Sequence, residues 1–323
     1  MRRFLRAAMA AATLSMVVPM PLYANDSMAV MEAGGLRLVR DAPVEILTEQ
    51  LYISTTEIRV DYQFRAADNL GTTTLVAFPL PEYDLAWHSY SVLGEDSDTV
   101  QSRSNFRVWV DGNEISPQLE VKAMRNGIDV TSQLISYGIP IDSLSYLGLM
   151  NALEAQSSQA RSWLQENDVV RWNDGYDPEP LWTAKATYYW SQTFPAGKTV
   201  HVRHAYRPIA GAFFIADPQL RDFSPADFCM SAGEKKGVLN RLKKANHGAL
   251  LASQVRYVLT TGANWQGPIG QFHLIVDKAR PEALVSLCFD GLKKTAPTRF
   301  ETTIRNFVPT QDLDLLFVNS DTP

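Results

Sequence analysis

Hydrophobic and polar residues alternate along much of the chain, which predicts a protein built mainly of β-strands. In residues 57–65 four apolar side chains are interleaved with charged or amide ones: Ile58, Val60, Tyr62 and Phe64. A period of two is typical of a strand with one wet face. Asp111-Gly112 and Asn126-Gly127 each favour a tight hairpin turn. We therefore expect residues 25–131 to form an antiparallel β-sandwich of the immunoglobulin-like kind.

The apolar period changes to three and four in residues 132–166, which predicts helices. An acidic and aromatic loop follows between Trp172 and Trp182, and it includes Tyr176. Aromatic rings beside acids suit carbohydrate or calcium, but the spacing of the acids does not match the EF-hand loop. We interpret residues 132–181 as a helical insertion that ends in this loop.

The alternation returns after this insertion, so residues 182–323 are expected to form a second, C-terminal β region. One helix is predicted within it, near residues 232–247, because Ser231 and Glu234 have the spacing of a capping box. A cluster of cations lies on the polar side of this helix: Lys235, Lys236, Arg241, Lys243 and Lys244. The cluster could meet an anionic partner, or it could be a solvated helix face.

The first 24 residues predict a secretory signal peptide. Three arginines precede the apolar stretch 7–18, and Ala24 is a small residue suited to cleavage. The alternative is a short membrane anchor, but spanning the hydrocarbon takes about 20 apolar residues. We expect cleavage after Ala24 and a periplasmic or secreted protein that does not span the membrane.

The composition fits a globular exported chain. The 323 residues are 46% hydrophobic and 20% charged, and the formal net charge is −5. Removal of residues 1–24, which carry three arginines and no acid, leaves 27 basic and 35 acidic side chains, or −8. This balance argues against nucleic acid as a partner, because phosphate binding needs a basic surface.

Two cysteines, Cys229 and Cys288, are the whole thiol content of the chain. An even number of cysteines in an exported protein predicts a disulfide, because that compartment is oxidising. The alternative is two buried thiols that act as small apolar side chains.

Catalytic motifs are missing from the sequence. It has no Gly-x-Ser-x-Gly elbow, no His-Glu-x-x-His helix and no phosphate loop. His201 and His204 lie three apart in a strand pattern, so they point to opposite faces and cannot share a metal ion. We expect His204 to be a core histidine with a hydrogen-bond partner. His88, His247 and His273 have no acid or thiol cluster beside them in the sequence. We predict no catalytic residues, no metal site and no cofactor.

One glycine-rich loop supports a hypothesis of ligand binding. It surrounds a tryptophan and contains Gly262, Asn264, Trp265, Gly267, Pro268 and Gly270. Glycine lets the backbone approach a ligand closely, and an exposed tryptophan can stack on a sugar or a peptide. The alternative is that Trp265 folds back as a plug over the end of the sandwich.

Several segments of the chain together resemble the bacterial exported family called domain of unknown function 4424. They are Asn25–Ala29, Gly34–Leu36, Leu51–Ser54, Leu75–Pro81, Tyr257–Trp265, Gly267–Gly270, Val276–Lys278 and Pro297–Glu301. The resemblance covers essentially the whole chain after residue 24. It implies an exported bacterial protein, and it brings no catalytic residues. It also marks Asn25, Asp26 and Ser27 as a motif, and these residue types could form an Asx turn or a cap that pins the new N-terminus.

The function expected from these patterns is a non-enzymatic binding or structural module of the bacterial cell envelope. Its expected partner is a cell-envelope polymer, a glycan or a protein. The alternative is a periplasmic hydrolase whose site is assembled between the two β regions.

Overall fold

The computed structural model describes residues 25–40, 43–66, 71–85, 99–216, 228–245 and 248–319. The predicted signal peptide, His88 and His247 lie outside these residues.

Strands account for most of the regular structure. They are β1 Ser27–Glu32, β2 Gly35–Val39, β3 Val44–Ile53, β4 Ile58–Ala66, β5 Thr72–Pro79, β6 Tyr83–Asp84, β7 Arg107–Val110, β8 Asn113–Ile115, β9 Gln118–Arg125, β10 Ile128–Asp129, β11 Val170–Arg171, β12 Glu179–Pro180, β13 Thr183–Phe194, β14 Thr199–Tyr206, β15 Gly211–Ala216, β16 Ala249–Tyr257, β17 Ile269–Asp277, β18 Leu284–Leu287, β19 Lys293–Lys294, β20 Arg299–Phe307 and β21 Leu313–Val318.

The helices of the described residues are short. They are α1 Val100–Ser104, α2 Thr131–Ser136, α3 Tyr146–Glu154, α4 Ser158–Glu166, α5 Ala232–Leu242 and a 3-10 helix at Thr260–Asn264. None of the helices in the described part is long and apolar enough to cross a membrane.

The strands form three larger sheets and one small ribbon, β11–β12. Sheet A has the order β10-β9-β13-β5-β1-β2, with β6 beside β13. Sheet B has eight strands in the order β19-β20-β17-β3-β4-β14-β7-β8. Sheet C has the order β15-β16-β21-β18. Neighbouring strands are antiparallel except β3 and β17, which run parallel in sheet B.

The main core lies between sheets A and B. Phe78 on β5 of sheet A contacts His204 on β14 of sheet B, with ring centroids 5.0 Å apart. Phe106, just before β7, stacks on Tyr188 of β13 with centroids 4.3 Å apart. These aromatic contacts bury the apolar faces of both sheets, which is the main source of stability in such a fold.

Sheet B contains strands from both predicted β regions, because β17 of the C-terminal region pairs with β3 near the start of the chain. At this junction β3 has a bulge between Ile46 and Thr48. Gly270 lies against the bulge, and a Cβ atom on it would come within 2.6 Å of the carbonyl oxygen of Leu47. Only glycine lets the two backbones approach so closely.

The mainly β composition and both hairpin turns are confirmed, and helices α2, α3 and α4 lie in the segment where the apolar period predicts helices. Asp111 and Gly112 have φ of 48° and 81°, as a type I′ turn between β7 and β8 requires. The structure does not confirm an immunoglobulin-like order of the strands. The sequence also predicts a turn at Phe194–Lys198 between two strands, and this segment connects β13 of sheet A to β14 of sheet B.

The sequence pattern also predicts a strand near residues 255–261, but the strand found there, β16, ends at Tyr257. The Oδ1 atom of Asp312 accepts hydrogen bonds from the backbone N–H groups of Leu259 and Thr260, each 3.0 Å long. It also accepts one from the Thr260 hydroxyl at 2.8 Å. These contacts turn the chain out of β16 into the 3-10 helix, so the prediction is wrong for residues 258–261.

The predicted capping box of α5 is confirmed. The Ser231 N–H donates to Glu234 Oε2 at 2.6 Å, and the Glu234 N–H donates to Ser231 Oγ at 3.2 Å. The helix ends at Leu242, earlier than expected, and Val238 and Leu242 bury their side chains against sheet C. The predicted disulfide between Cys229 and Cys288 is present, and it joins the segment before α5 to the segment after β18.

Removal of this disulfide is expected to destabilise the protein. The bond joins residues 59 apart in sequence, so losing it restores freedom to the unfolded chain that is worth about 4 kcal/mol. We expect the double variant Cys229→Ser/Cys288→Ser to show this loss in urea unfolding. The reduced wild-type protein is the control. Equal stability of the oxidised and reduced proteins would contradict the prediction.

Candidate functional site

The motif Asn25–Ser27 lies against the 3-10 helix and Trp265, so two regions singled out in the sequence are in contact. The Thr261 hydroxyl donates to the carbonyl oxygen of Asn25 at 2.5 Å. The Asn264 amide donates to Ser27 Oγ at 3.0 Å. The Trp265 indole N–H donates to the carbonyl oxygen of Asp26. The start of β1 is therefore fixed by residues more than 230 positions later in the chain.

Gly262 is the point where this contact is closest. A Cβ atom there would lie 2.8 Å from Asn25 Nδ2 and 3.2 Å from Ile269 Cδ1. A larger residue would therefore push Asn25 out of place. In this loop the role of Gly262 is close packing against the N-terminal segment.

Trp265 is only 2% exposed, and its ring packs on Phe64 and Phe194 with centroid distances of 4.9 and 6.0 Å. The ring presents no open face on which a ligand could stack, which corresponds to the plug alternative. Gly267 and Pro268 are exposed at the turn before β17, where Gly267 has a φ of +73°.

The side chain of Asn25 enters a buried polar cluster between sheets A and B. Its amide donates to both carboxylate oxygens of Glu49, at 3.0 and 3.2 Å. Its Oδ1 accepts hydrogen bonds from the hydroxyl groups of Tyr62 and Tyr257. We call this group the Asn25 cluster. It consists of Asn25, Asp26, Glu49, Tyr62, His204 and Tyr257. Every one of these side chains is buried.

Glu49 is inside because of the bulge in β3. Ile46 faces the core before the bulge, and the extra residue at Leu47 shifts the alternation by one. Glu49 and Leu51 then point inward, and Gln50 points outward. Without the bulge, Glu49 would lie on the wet face.

Burial controls the protonation of the cluster. It raises the pKa of Glu49 to about 8, although the hydrogen bonds from Asn25 act against this change. It also raises the pKa of Asp26 well above the usual range, and the charge of Glu49 adds to the effect. Burial lowers the pKa of His204 to about 3, so this imidazole is neutral.

The expected hydrogen-bond partner of His204 is not found among the described residues, where neither ring nitrogen has one. Asp26 Oδ2 lies 3.5 Å from His204 Nε2. The Ser27 hydroxyl does not complete a triad with this pair, because it donates to the carbonyl oxygens of Met28 and Val39. The pair is sealed from solvent, with both side chains 0% exposed.

The opposite face of sheet B carries a groove of about 620 Å³. The cross-strand register puts Trp109 beside Arg203, Arg203 beside Asp61, and Asp61 beside Gln50. We call this site the outer groove, and its principal side chains are Gln50, Asp61, Gln63, Trp109, His201 and Arg203. Four neighbouring strands supply them, so they stand on a continuous hydrogen-bonded support.

The outer groove combines charge, amides and one aromatic ring. Arg203 Nε donates to Asp61 Oδ1 at 2.6 Å. The guanidinium of Arg107 lies over the Trp109 ring, 4.6 Å from its centre. Alternation in residues 57–65 predicts that Asp61 and Gln63 lie on a wet face. It could not show that β7, β14, β4 and β3 are neighbours, so sequence reasoning missed the groove.

The other sequence candidates lie elsewhere. In the acidic loop Trp182 is fully buried and Tyr176 is 80% exposed. On sheet B, His273 Nε2 lies 3.3 Å from Glu301 Oε2. No group of three or more His, Cys, Asp or Glu side chains in the described part could hold a metal ion.

The fold and these contacts define a mainly β protein with a polar cluster inside and a polar groove on one sheet. The chain belongs to the family described as Domain of unknown function (DUF4424), whose family profile matches residues 24–316. No curated protein matches the sequence.

The distantly similar solved structures include the following two. A "putative nutrient binding protein" from Legionella pneumophila is 17% identical with a TM-score of 0.46, over 91% of this chain and 70% of that one. An M1 zinc metallopeptidase from Deinococcus radiodurans is 10% identical with a TM-score of 0.23, over 87% of this chain and 43% of that one. Neither similarity is high enough to carry an argument about function.

Truncation of Trp265 is expected to cost stability. Trp265→Ala removes a buried ring, and the free energy of unfolding should fall by about 3–5 kcal/mol. Trp265→Phe keeps a ring but loses the hydrogen bond to Asp26, and should cost about 1–2 kcal/mol. Urea unfolding measures both variants. A stability loss below about 1 kcal/mol for Trp265→Ala would contradict the buried position.

Burial of His204 predicts a loss of stability in acid. The unfolded chain takes up a proton near the ordinary histidine pKa of 6.5, whereas the folded state resists protonation until about pH 3. Stability is therefore lost as pH falls between these values, by as much as about 4 kcal/mol. His204→Phe should flatten this part of the curve of unfolding free energy against pH. The exposed His201→Gln is the matched control, and the same acid slope in His204→Phe would contradict the prediction.

Proposed function

We propose that this chain is an exported, non-enzymatic binding module of the bacterial cell envelope, and that the outer groove binds a carbohydrate. The observation that carries the proposal is the groove itself. Charged, amide and aromatic side chains converge there on one face of sheet B.

The chemistry of the groove fits sugar hydroxyl groups. Gln50 and Gln63 each offer a donor and an acceptor, and Arg203 and Asp61 add a fixed charged donor and acceptor. Trp109 supplies an apolar surface next to these groups, which suits the alternating polar and apolar faces of a sugar ring. Ligand sites commonly join an apolar surface to a few well-placed polar groups in this way.

The support for binding over hydrolysis comes from the position of the reactive groups. The His204–Asp26 pair is buried between sheets A and B, whereas the groove lies on the outer face of sheet B. Within the groove, the Asp61 carboxylate is already engaged by a hydrogen bond from Arg203 Nε. The hydrolase alternative receives no support from any of these contacts.

Export is supported by the signal-like start of the sequence and by the disulfide. Disulfides persist in oxidising compartments such as the periplasm and are rare in the cytosol. Cell-wall glycan is a carbohydrate that a protein meets in the periplasm, so we take it as the expected ligand.

Substitutions in the groove should remove binding without unfolding the protein. Titration calorimetry with soluble peptidoglycan fragments and other oligosaccharides is the measurement. Trp109→Ala and Arg203→Ala should each weaken binding at least about tenfold, the effect of losing about 1.4 kcal/mol of contacts. Arg37→Ala is the control, because this exposed side chain lies on β2 of sheet A. Binding by both groove variants at wild-type strength would contradict the proposal.

A further inference from the structure

We propose that cleavage after Ala24 turns the backbone nitrogen of Asn25 into a buried α-ammonium group that pairs with the carboxylates of Asp26 and Glu49. Removal of the leader would then complete the core. The inference depends on the export and cleavage proposed above, and not on the use of the outer groove.

The Asn25 cluster contains acids without a cation. Its ionisable members come from β3, β4, β14 and β16 and from the segment before β1. They are Asp26, Glu49, Tyr62, His204 and Tyr257. No lysine or arginine of the described residues forms an ion pair with Asp26 or Glu49, and His204 is held neutral by burial. A positively charged group beside Asp26 and Glu49 would balance their negative charges.

Asp26 is the acid of the cluster that most clearly lacks a hydrogen-bond partner among the described residues. Its side chain is 0% exposed, and neither carboxylate oxygen has a hydrogen-bond partner in the described part of the chain. A buried carboxylate in this condition must take up a proton or find a cation and donors. An ammonium group supplies a charge and three donors together.

The backbone nitrogen of Asn25 belongs to the residue whose side chain binds Glu49. The Asn25 amide lies 3.0 Å from one Glu49 oxygen, and covalent geometry keeps the backbone nitrogen within about 5 Å of that amide. Asp26 is the next residue. The hydrogen bond from the Thr261 hydroxyl to the Asn25 carbonyl oxygen is 2.5 Å long, and it holds Asn25 in the cluster.

Cleavage changes the chemistry of this nitrogen. In the uncleaved chain this nitrogen is an uncharged amide. After cleavage the same atom is a primary amine, which is protonated at neutral pH when it lies beside a carboxylate. The family match begins at residue 24, next to this bond.

The two states of the N-terminus differ in how stability depends on pH. Without the ammonium, Glu49 takes up a proton on folding, because its pKa rises from 4.5 to about 8. The folded state then binds more protons than the unfolded state between these values, so stability falls as pH rises through that window. A paired ammonium keeps Glu49 ionised and removes this fall.

The test uses the full-length chain, exported and processed by a bacterial host. Mass spectrometry identifies the first residue of the purified product, which should be Asn25. A variant with one glycine inserted between Ala24 and Asn25 moves the ammonium by about 3.8 Å. We expect its melting temperature to drop by at least about 5 °C at pH 8 and by less at pH 5.

Glu49→Gln separates the ion pair from steric effects. If the ammonium acts through Glu49, the inserted glycine should cost much less stability in the Glu49→Gln background than in the wild type. An equal cost in both backgrounds, or no cost in either, would overturn the inference. A product that begins at another residue would instead refute the proposed cleavage, and the inference with it.

A further measurement uses only the wild-type product, so it tests the inference even if the variants fail to fold. An amine-reactive reagent should label exposed lysines such as Lys236 quickly. The α-amine of Asn25 should react only after unfolding, because it lies in the core. An α-amine in the folded protein that reacts as fast as the lysines would overturn the inference.

Discussion

The structure depends on the contact between the carboxylate of Glu49 and the amide of Asn25 inside the core. A buried carboxylate is tolerated only where donors surround it, so its position fixes those of the groups around it. Asn25 must reach it from the start of β1, and the Thr260–Trp265 segment must hold Asn25 there. Sheets A and B then close over a polar centre instead of a purely apolar one. This requirement selects one register for β1 and one place for the 3-10 helix.

Sheet B serves two purposes because its side chains alternate. The inward positions of β4 and β14 supply Tyr62 and His204 to the Asn25 cluster, and the outward positions beside them supply Asp61 and Arg203 to the outer groove. The rigidity required by the buried cluster is therefore available to the groove on the other face. A binding surface on such a support loses little conformational entropy when a ligand arrives.

The sequence allowed prediction of features that depend on neighbouring residues. The turn at Asp111-Gly112, the capping box at Ser231 and the alternation in β4 each depend on only a few neighbouring residues. Features that join distant segments could not be read in the same way. The burial of Glu49 depends on a one-residue bulge, and the contact of Trp265 with Asp26 joins positions 239 apart. Both require knowledge of which strands are neighbours, which one sequence does not contain.

The parallel pairing of β3 and β17 has a consequence for how the chain reaches its native state. Thr48 is paired with Gln271, about 220 residues later in the sequence, so this contact closes a very long loop. Contacts of such high sequence separation slow folding. Until β17 has been synthesised, β3 presents an unpaired edge that invites aggregation. Sheet B therefore cannot be completed until β17, β19 and β20 have been synthesised, which is close to the end of the given sequence.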